Sequence, residues 1–370
     1  MANKRLFYAA QRVGIAPINS NSYTTVRGAQ SVGLTTIFNI EQVSEIGQLE
    51  SYETIEGIPA VEVSTEKVLD GYCPIYLLAT QTTTSGSAPS ASTLSGRATG
   101  VCRMAIAAYP EESSYAEGTI GAETHMSGLF VSSVGYSVPV EGNATESCSL
   151  VGNNKVWVIG GNTGNFVGYD TTAATWLDSP WSDGDLEPLS IGGSGGVNQR
   201  QDILFGSGAS ASLLPTNIPG ITAGGYNVET GTNGYGAHIQ GWNINADLGR
   251  TEMFELGRKG VYNRYVNFPV EVTNEISVIT ASGDMISATE EGIFGSAEGC
   301  GMRYNLTNQT IKLCMCEGLV VDCGTKNKLS TVSRNGGGSD GGNVEISYSY
   351  TNNNSFDVKH PQDPVEALRP

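Results

Sequence analysis

The sequence predicts an all-β protein with minor helix, arranged as two related β modules in tandem. Gly is abundant, at 48 of 370 residues, while good helix formers are sparse. Val, Ile, Thr and Tyr recur in short alternating runs separated by Gly, Asn and Ser, the texture of strands joined by turns. A corner-like segment is written twice, about two hundred residues apart. The length exceeds what one average domain needs. Hydrophobic residues at 39% supply real cores, and charged residues at 15% are too few for a disordered chain.

The elements follow in chain order. "SVGLTTIFNI" (31–40) alternates, with Val32, Leu34, Phe38 and Ile40 on one side. "AVEVSTEKV" (60–68) sets Val61, Val63 and Thr65 against Glu62, Ser64 and Glu66, a strand with one wet face. "CPIYLLAT" (73–80) predicts a short helix starting at Pro74. Residues 81–100 are Thr/Ser/Gly-rich and read as a flexible loop. "LFVSSVGYSVPV" (129–140), "ATESCSLV" (144–151) and "KVWVI" (155–159) are separated by tight Gly/Asn turns and predict a meander. Residues 161–200 change character and read as a Gly/Ser-rich linker or insertion, with Trp176 and Trp181 suggesting that it packs on something. "AHIQGWNINADL" (237–248), "VEVTNEISVIT" (270–280), "TIKLCMCEGLVV" and "NVEISYSYT" (343–351) restart the strand pattern. "NGGGSDGGN" (335–343) reads as a mobile loop. The expected domains are residues 1–160 and 201–370, the second carrying a C-terminal tail.

The repeat aligns without a gap over fifteen positions. Glu45 meets Glu255, Gly47 meets Gly257, Tyr52 meets Tyr262 and Pro59 meets Pro269. Each copy then enters an alternating strand carrying Val-Glu-Val, offset by one residue. Gly allows backbone angles that other residues resist, and Pro blocks a ladder hydrogen bond and so marks where pairing begins. Tyr can close a corner over a core edge. These eight residues read as scaffold corners rather than as a chemical site. Two diverged copies in one chain serve symmetry, letting one chain occupy two similar positions in a ring.

The net charge is −17, which favours solubility and repels nucleic acid. Lys4, Arg5, Arg12 and Arg27 all precede the first acidic residue, Glu41. They read either as a solvated tail or as a basic arm that docks on an acidic neighbour. No signal peptide is visible, and no run approaches the roughly 18 apolar residues of a membrane span, so the expectation is a soluble protein made in a cytoplasm. The seven cysteines lack a C-x-x-C pair and read as reduced core hydrophobes, with Cys314 and Cys316 on one strand face. "GGSGG" (192–196) lacks the strand and helix of a nucleophile elbow. "GSGASA" (206–211) lacks room for a dinucleotide-binding helix before Pro215, and "SDGDLE" (182–187) lacks EF-hand spacing. The three histidines stand in unrelated contexts, so the sequence offers no catalytic, cofactor or metal residues.

The segments 28–72, 131–157 and 238–278 together resemble the tail tube proteins of bacteriophages in texture and order. The resemblance implies a β-sandwich or half-barrel whose strands line the bore of a ring. Rings stack into a hollow tube around a tape measure protein, and the tube carries DNA out of the head without binding it specifically. Most members form hexameric rings; some carry a fused pair of modules and form trimeric rings with pseudo-sixfold symmetry, as the repeat here suggests. Tail terminator and baseplate or tail tip proteins are implied as further partners, and the virion tail, assembled in the host bacterial cytoplasm, as the location. In that setting Glu62, Glu66, Glu271 and Glu275, on the wetter faces of matching strands, are candidate lumen carboxylates, and the basic arm serves ring-to-ring contacts. The alternatives are a glycan-binding fibre or decoration protein and a β-sandwich hydrolase.

Overall fold

The computed structural model describes residues 11–20, 23–47, 49–109, 122–159, 166–170, 175–178, 196–205, 211–216, 218, 238–257, 260–279, 308–335, 344–363 and 365. The chain opens with β1 (Gln11–Pro17), β2 (Thr24–Thr25) and β3 (Ala29–Ile37). β3 stops short of the alternating run expected there, and Phe38 and Ile40 are exposed rather than in line with Val32 and Leu34. The physical reason is a pinched neck. Gly57 N donates to Asn39 O at 2.6 Å and Asn39 Nδ2 donates to Ile58 O at 2.8 Å, so β4 (Ile40–Ser44) and β5 (Ser51–Glu56) leave the sheet as a separate hairpin.

β6 (Ala60–Val68) follows with the predicted wet face of Glu62, Ser64 and Glu66. Helix α1 (Ile75–Ala79) starts after Pro74, as the sequence predicts. Residues 81–100, expected as a flexible loop, are packed: they contain α2 (Leu94–Arg97), and Leu94 and Arg97 are buried. Their small polar side chains bond their own turn, as Thr83 Oγ1 does to Ser87 O at 2.9 Å, instead of leaving it to water.

β7 (Cys102–Ala108) precedes β8 (Ala122–Pro139), which begins seven residues ahead of the predicted run. Then come β9 (Thr145–Gly152) and β10 (Asn154–Ile159). The predicted meander is corrected here. β9 and β10 do not pair with each other; both pair with β8, end to end along its length. β11 (Phe166–Asp170) and β12 (Thr175–Asp178) form a small hairpin inside the expected linker, most of which lies outside the described residues, Trp181 included.

The second half contains β13 (His238–Asp247), β14 (Arg250–Met253), β15 (Asn263–Val266), β16 (Glu271–Ile279), β17 (Lys312–Cys314), β18 (Val320–Asp322), β19 (Lys328–Asn335), β20 (Glu345–Asn353) and β21 (Asp357–Lys359). Cys314 and Cys316 do not share a strand. A turn closes between them, with Gly318 N donating to Met315 O at 3.0 Å, so Cys314 is buried and Cys316 half-buried. Cys300 and the Gly-rich loop 336–343 lie outside the described residues.

β8 belongs to two sheets. Its first half pairs with β7 and β10, and β7 continues through β1 to β2, making five strands. Its second half lies in an eight-stranded antiparallel sheet ordered β3-β6-β9-β8-β13-β16-β20-β19. The passage between the sheets falls at Gly128 (φ 67°), skipped where β7 pairs with Ser127 and then Leu129. An extra residue with positive φ bends a strand and costs glycine little. The core is one hydrophobic cluster that takes Ile15, Met104 and Met126 from the five-stranded sheet and Val63, Tyr136, Ile244, Val272 and Tyr348 from the eight-stranded one. Leu313, Val321 and Val358 join it from the sheet β17-β18-β21. Residues from 1–160 and from 201–370 thus share a sheet and a core. Among the described residues no helix is long and apolar enough to cross a membrane.

Candidate functional site

One face of the eight-stranded sheet lies on the core and the other is open. Strict alternation sends Val61 and Val63 inward and Glu62, Ser64 and Glu66 outward; β16 repeats this with Val272 and Ile276 against Glu271, Thr273 and Glu275. All four candidate lumen carboxylates therefore stand exposed on the same open face. Across the middle strands that face carries Ser147 and Ser149, then Ser133, Gly135 and Ser137, then Asn243, Asn245 and Asp247, in hydrogen-bonded register. Ser347, Ser349 and Thr351 complete it on β20. The side chains are short and polar; Lys328, at the β19 edge, is a cation set against the glutamates. Neighbours bond one another: Ser137 Oγ donates to Asn243 Oδ1 at 2.7 Å and Ser347 Oγ to Glu275 Oε1 at 2.6 Å. Gly135 leaves room for these neighbours: a Cβ there would lie 2.5 Å from Asn245 Oδ1 and 2.8 Å from Ser147 Oγ, so both side chains would have to swing aside.

The strand order is written twice. β3-β6-β9-β8 has the chain order first, second, fourth, third, and β13-β16-β20-β19 has the same. In each set a hairpin is inserted between the first two strands, β4-β5 in one and β14-β15 in the other. The repeated residues occupy matching places. Gly47 (φ 98°) and Gly257 (φ 85°) turn the two hairpins, Glu45 and Glu255 precede those turns, and Tyr52 and Tyr262 stand at the start of the return. Pro59 and Pro269 come just before β6 and β16. The ladders repeat their irregularities as well: Gln30 and Gln240 are skipped where β3 meets β6 and β13 meets β16, and Ser132 and Ser330 where β8 meets β9 and β19 meets β20.

Both hairpins rise from the same end of the sheet, because β3 and β13 run in the same direction. The first is bare: Ile40, Val43, Ile46, Leu49, Tyr52 and Ile55 are all exposed. The second also shows Met253, Phe254 and Leu256 to solvent, but its root is fixed. Arg250 Nε donates to Val131 O at 2.7 Å and Nη1 to Ala98 O at 2.6 Å; Arg264 pairs with Glu252 and donates to Asn153 Oδ1 at 3.0 Å. Apolar side chains at such exposure mark surfaces that meet other surfaces.

The basic arm is corrected in part. Arg12 is buried in β1, where its guanidinium bonds Thr25 Oγ1, and Arg27 is half-buried in the turn before β3; neither belongs to a free arm. Lys4 and Arg5 lie outside the described residues.

Sequence reasoning missed the buried polar groups, whose partners are distant in the chain. Glu146 on β9 accepts from Ile75 N at 2.6 Å, Tyr76 N at 3.1 Å and Tyr136 Oη at 3.0 Å, and so satisfies the free amides that open α1. Burial pushes its carboxyl up while the two amides pull it down. Arg97 and Asp363 form a fully buried ion pair that ties the C-terminal tail to α2. The histidines are not all unrelated: Glu123, His125 and Tyr23 lie in line, with Tyr23 Oη 3.3 Å from His125 Nδ1 and His125 Nε2 3.3 Å from Glu123 Oε2. All three are buried within the five-stranded sheet. Burial pushes the thiols of Cys102 and Cys323 up to about 12, which keeps them protonated and apolar. Among the described residues no group of His, Cys, Asp or Glu is placed to hold a metal.

The fold and this surface define an all-β protein whose distinguishing features, among the described residues, are an open polar sheet face, two apolar hairpins and edge strands β3 and β19 that pair on one side. No family model matches the chain, and no curated protein matches it. Among solved structures it is similar to the anti-feeding prophage cap, described as a tube terminating cap, at 12% identity and a TM-score of 0.31, over 43% of this chain and 95% of that one. It is also similar to a chain in the PVC sheath-tube complex of an extracellular contractile injection system in the extended state, at 9% identity and a TM-score of 0.30, over 43% and 95%.

Proposed function

We propose that this chain is a non-enzymatic structural subunit of a phage-type tail tube, in which two related modules in tandem let three copies close a pseudo-sixfold ring. The observation that carries this reading is the repeated strand order, joined inside the chain by β8 against β13 and left unjoined at β3 and β19. A sheet built from repeats with an open edge at each end continues into the next copy until it closes. Three copies of eight strands make a barrel with a wide bore rather than a filled interior.

The open face supports the bore assignment. Its side chains are too short to reach into the passage, and its carboxylates repel phosphates, so DNA passes without adhering. Glu62, Glu66, Glu271 and Glu275 then form acidic rings around the lumen, in a subunit trimer carrying about −51, three times −17. The apolar hairpins, all at one end, are the stacking contacts between rings, with terminator and tail tip proteins capping the ends of the stack. The tape measure protein occupies the lumen before DNA does.

Electron microscopy of the purified chain tests this reading. Stacked rings or hollow tubes with threefold subunit count support it. Discrete monomers that bind glycans overturn it in favour of a fibre or decoration protein.

A further inference from the structure

The end of β6 holds an amine and a carboxyl in contact inside the protein. Lys67 is fully buried, and its Nζ pairs with Asp70 Oδ1 three residues further along the chain. The Asp70 carboxyl is held from two sides. Tyr72 N donates to Oδ1 at 3.1 Å, and Oδ2 packs over Gly28, where a Cβ would lie 2.7 Å away.

A second carboxyl stands beside the pair. Glu146 is the direct cross-strand partner of Lys67 in the ladder between β6 and β9; it is fully buried, and the Lys67 charge bears on it. Cys73 and His360 feel the same charge and are buried too. Burial pushes the Cys73 thiol up and the His360 imidazole down, which keeps both neutral.

We infer that Lys67 and Asp70 condense into an intramolecular isopeptide bond, Nζ to Cγ, with Glu146 carrying the protons. This inference is independent of the ring reading above.

The step balances within the chain. The Nζ lone pair attacks Asp70 Cγ, and the new C–N bond replaces one C–O bond. Of the three ammonium protons one stays on the amide nitrogen, and two leave with the departing oxygen as water. No oxidant, reductant or cofactor enters. Glu146 takes a proton from Nζ and passes one to the departing oxygen; burial pushes its carboxyl up, so that it holds the proton it has to give. Tyr72 N, already on Oδ1, donates to the negative charge that develops there.

Three physical arguments favour the product. Held in contact, the two groups need no collision from solution. An ammonium and a carboxylate kept from water carry a desolvation cost, and a neutral amide removes both charges. A dry site also protects the amide from hydrolysis. The other deeply buried pair gives the contrast. Arg97 and Asp363 are equally covered, but a guanidinium stays protonated and is no nucleophile, so that pair remains ionic.

Intact-mass spectrometry of the purified full-length chain tests this, with tandem spectrometry of a tryptic digest made after denaturation. The expected mass is that of the sequence less one water, with the loss mapped to Lys67 and Asp70 and no cleavage after Lys67. Lys67→Arg keeps the charge and is expected at its full sequence mass. Glu146→Gln, confirmed as folded by its β-sheet circular dichroism, is expected to leave most of the chain unlinked. Wild-type protein at full mass overturns the bond. A succinimide at Asp70–Gly71 loses the same mass but leaves trypsin free to cut after Lys67, and that result overturns it as well. Complete linkage in folded Glu146→Gln overturns the part given to Glu146.

Discussion

β8 and β19 hold the same position in two copies of one strand order, and they differ in everything that a neighbour supplies. On the core side of β8, Val134, Tyr136 and Val138 are buried under β13. On β19, Val332 is only half-buried and Arg334 is exposed. The backbone plan is common to both; the side chains differ according to whether a neighbouring strand of the same chain covers them. The hairpins make the same point. β14-β15 is fixed at its root by Arg250 and Arg264, while β4-β5 offers apolar residues on all sides that no described residue buries.

The comparison breaks most sharply at its covered member. Ile244→Asp places an uncompensated carboxylate between β8 and β16 and costs on the order of 4 kcal/mol, read as a lowered denaturation midpoint. If that variant keeps its stability, β8 against β13 is not a packed junction.

A smaller effect acts on the core through pH. Burial, with Lys67 nearby, holds His360 down at about 4 against an ordinary 6.5. Between those values the unfolded chain takes the proton and the folded chain resists it. Stability is therefore whole above pH 6.5 and falls progressively as pH drops toward 4, by roughly 1–3 kcal/mol. His360→Gln flattens that slope in denaturation curves recorded across the window, and an unchanged slope refutes the assignment.

Gly135→Ala costs no more than about 1 kcal/mol, because the Asn245 and Ser147 side chains that its Cβ meets can swing aside on the open face, whereas Gly241→Ala has open space and is near neutral. Equal costs at the two sites contradict the crowding described for the open face. Small effects on folding belong to the open edge and the bare hairpin. Val332→Asp, half-buried against the core, costs about 1 kcal/mol, and Leu49→Asp changes stability by no more than about 0.5 kcal/mol. The first abolishes rings and the second leaves rings that do not stack, both scored by electron microscopy. Normal tubes from either variant remove that surface from the assembly.

Much of this was legible in the chain. Period-two alternation located β6, β9, β13, β16 and β20, because each has one face on the core. The Gly, Tyr and Pro of the repeat marked both hairpins, since a turn with positive φ and a strand start constrain sequence locally. What alternation could not show was pairing. β10 follows β9 by one residue and yet joins the other half of β8, and Phe38 continues the pattern of β3 after the chain has left the sheet. Glu146 was invisible for a related reason. Alternation puts it in line with Cys148 and Leu150 on the core face, and no local pattern shows that the amides of α1 and the Tyr136 hydroxyl meet it there. The four glutamates of β6 and β16 were legible as exposed, but their common face depends on four intervening ladders that no local pattern encodes.

Because β8 runs through both sheets, load passes between them along covalent bonds. Sliding one layer over the other would have to stretch a backbone, which side-chain packing alone would not require. Shear between the two layers is therefore resisted by the chain itself, along a strand that bends at Gly128 as it passes from one sheet to the other.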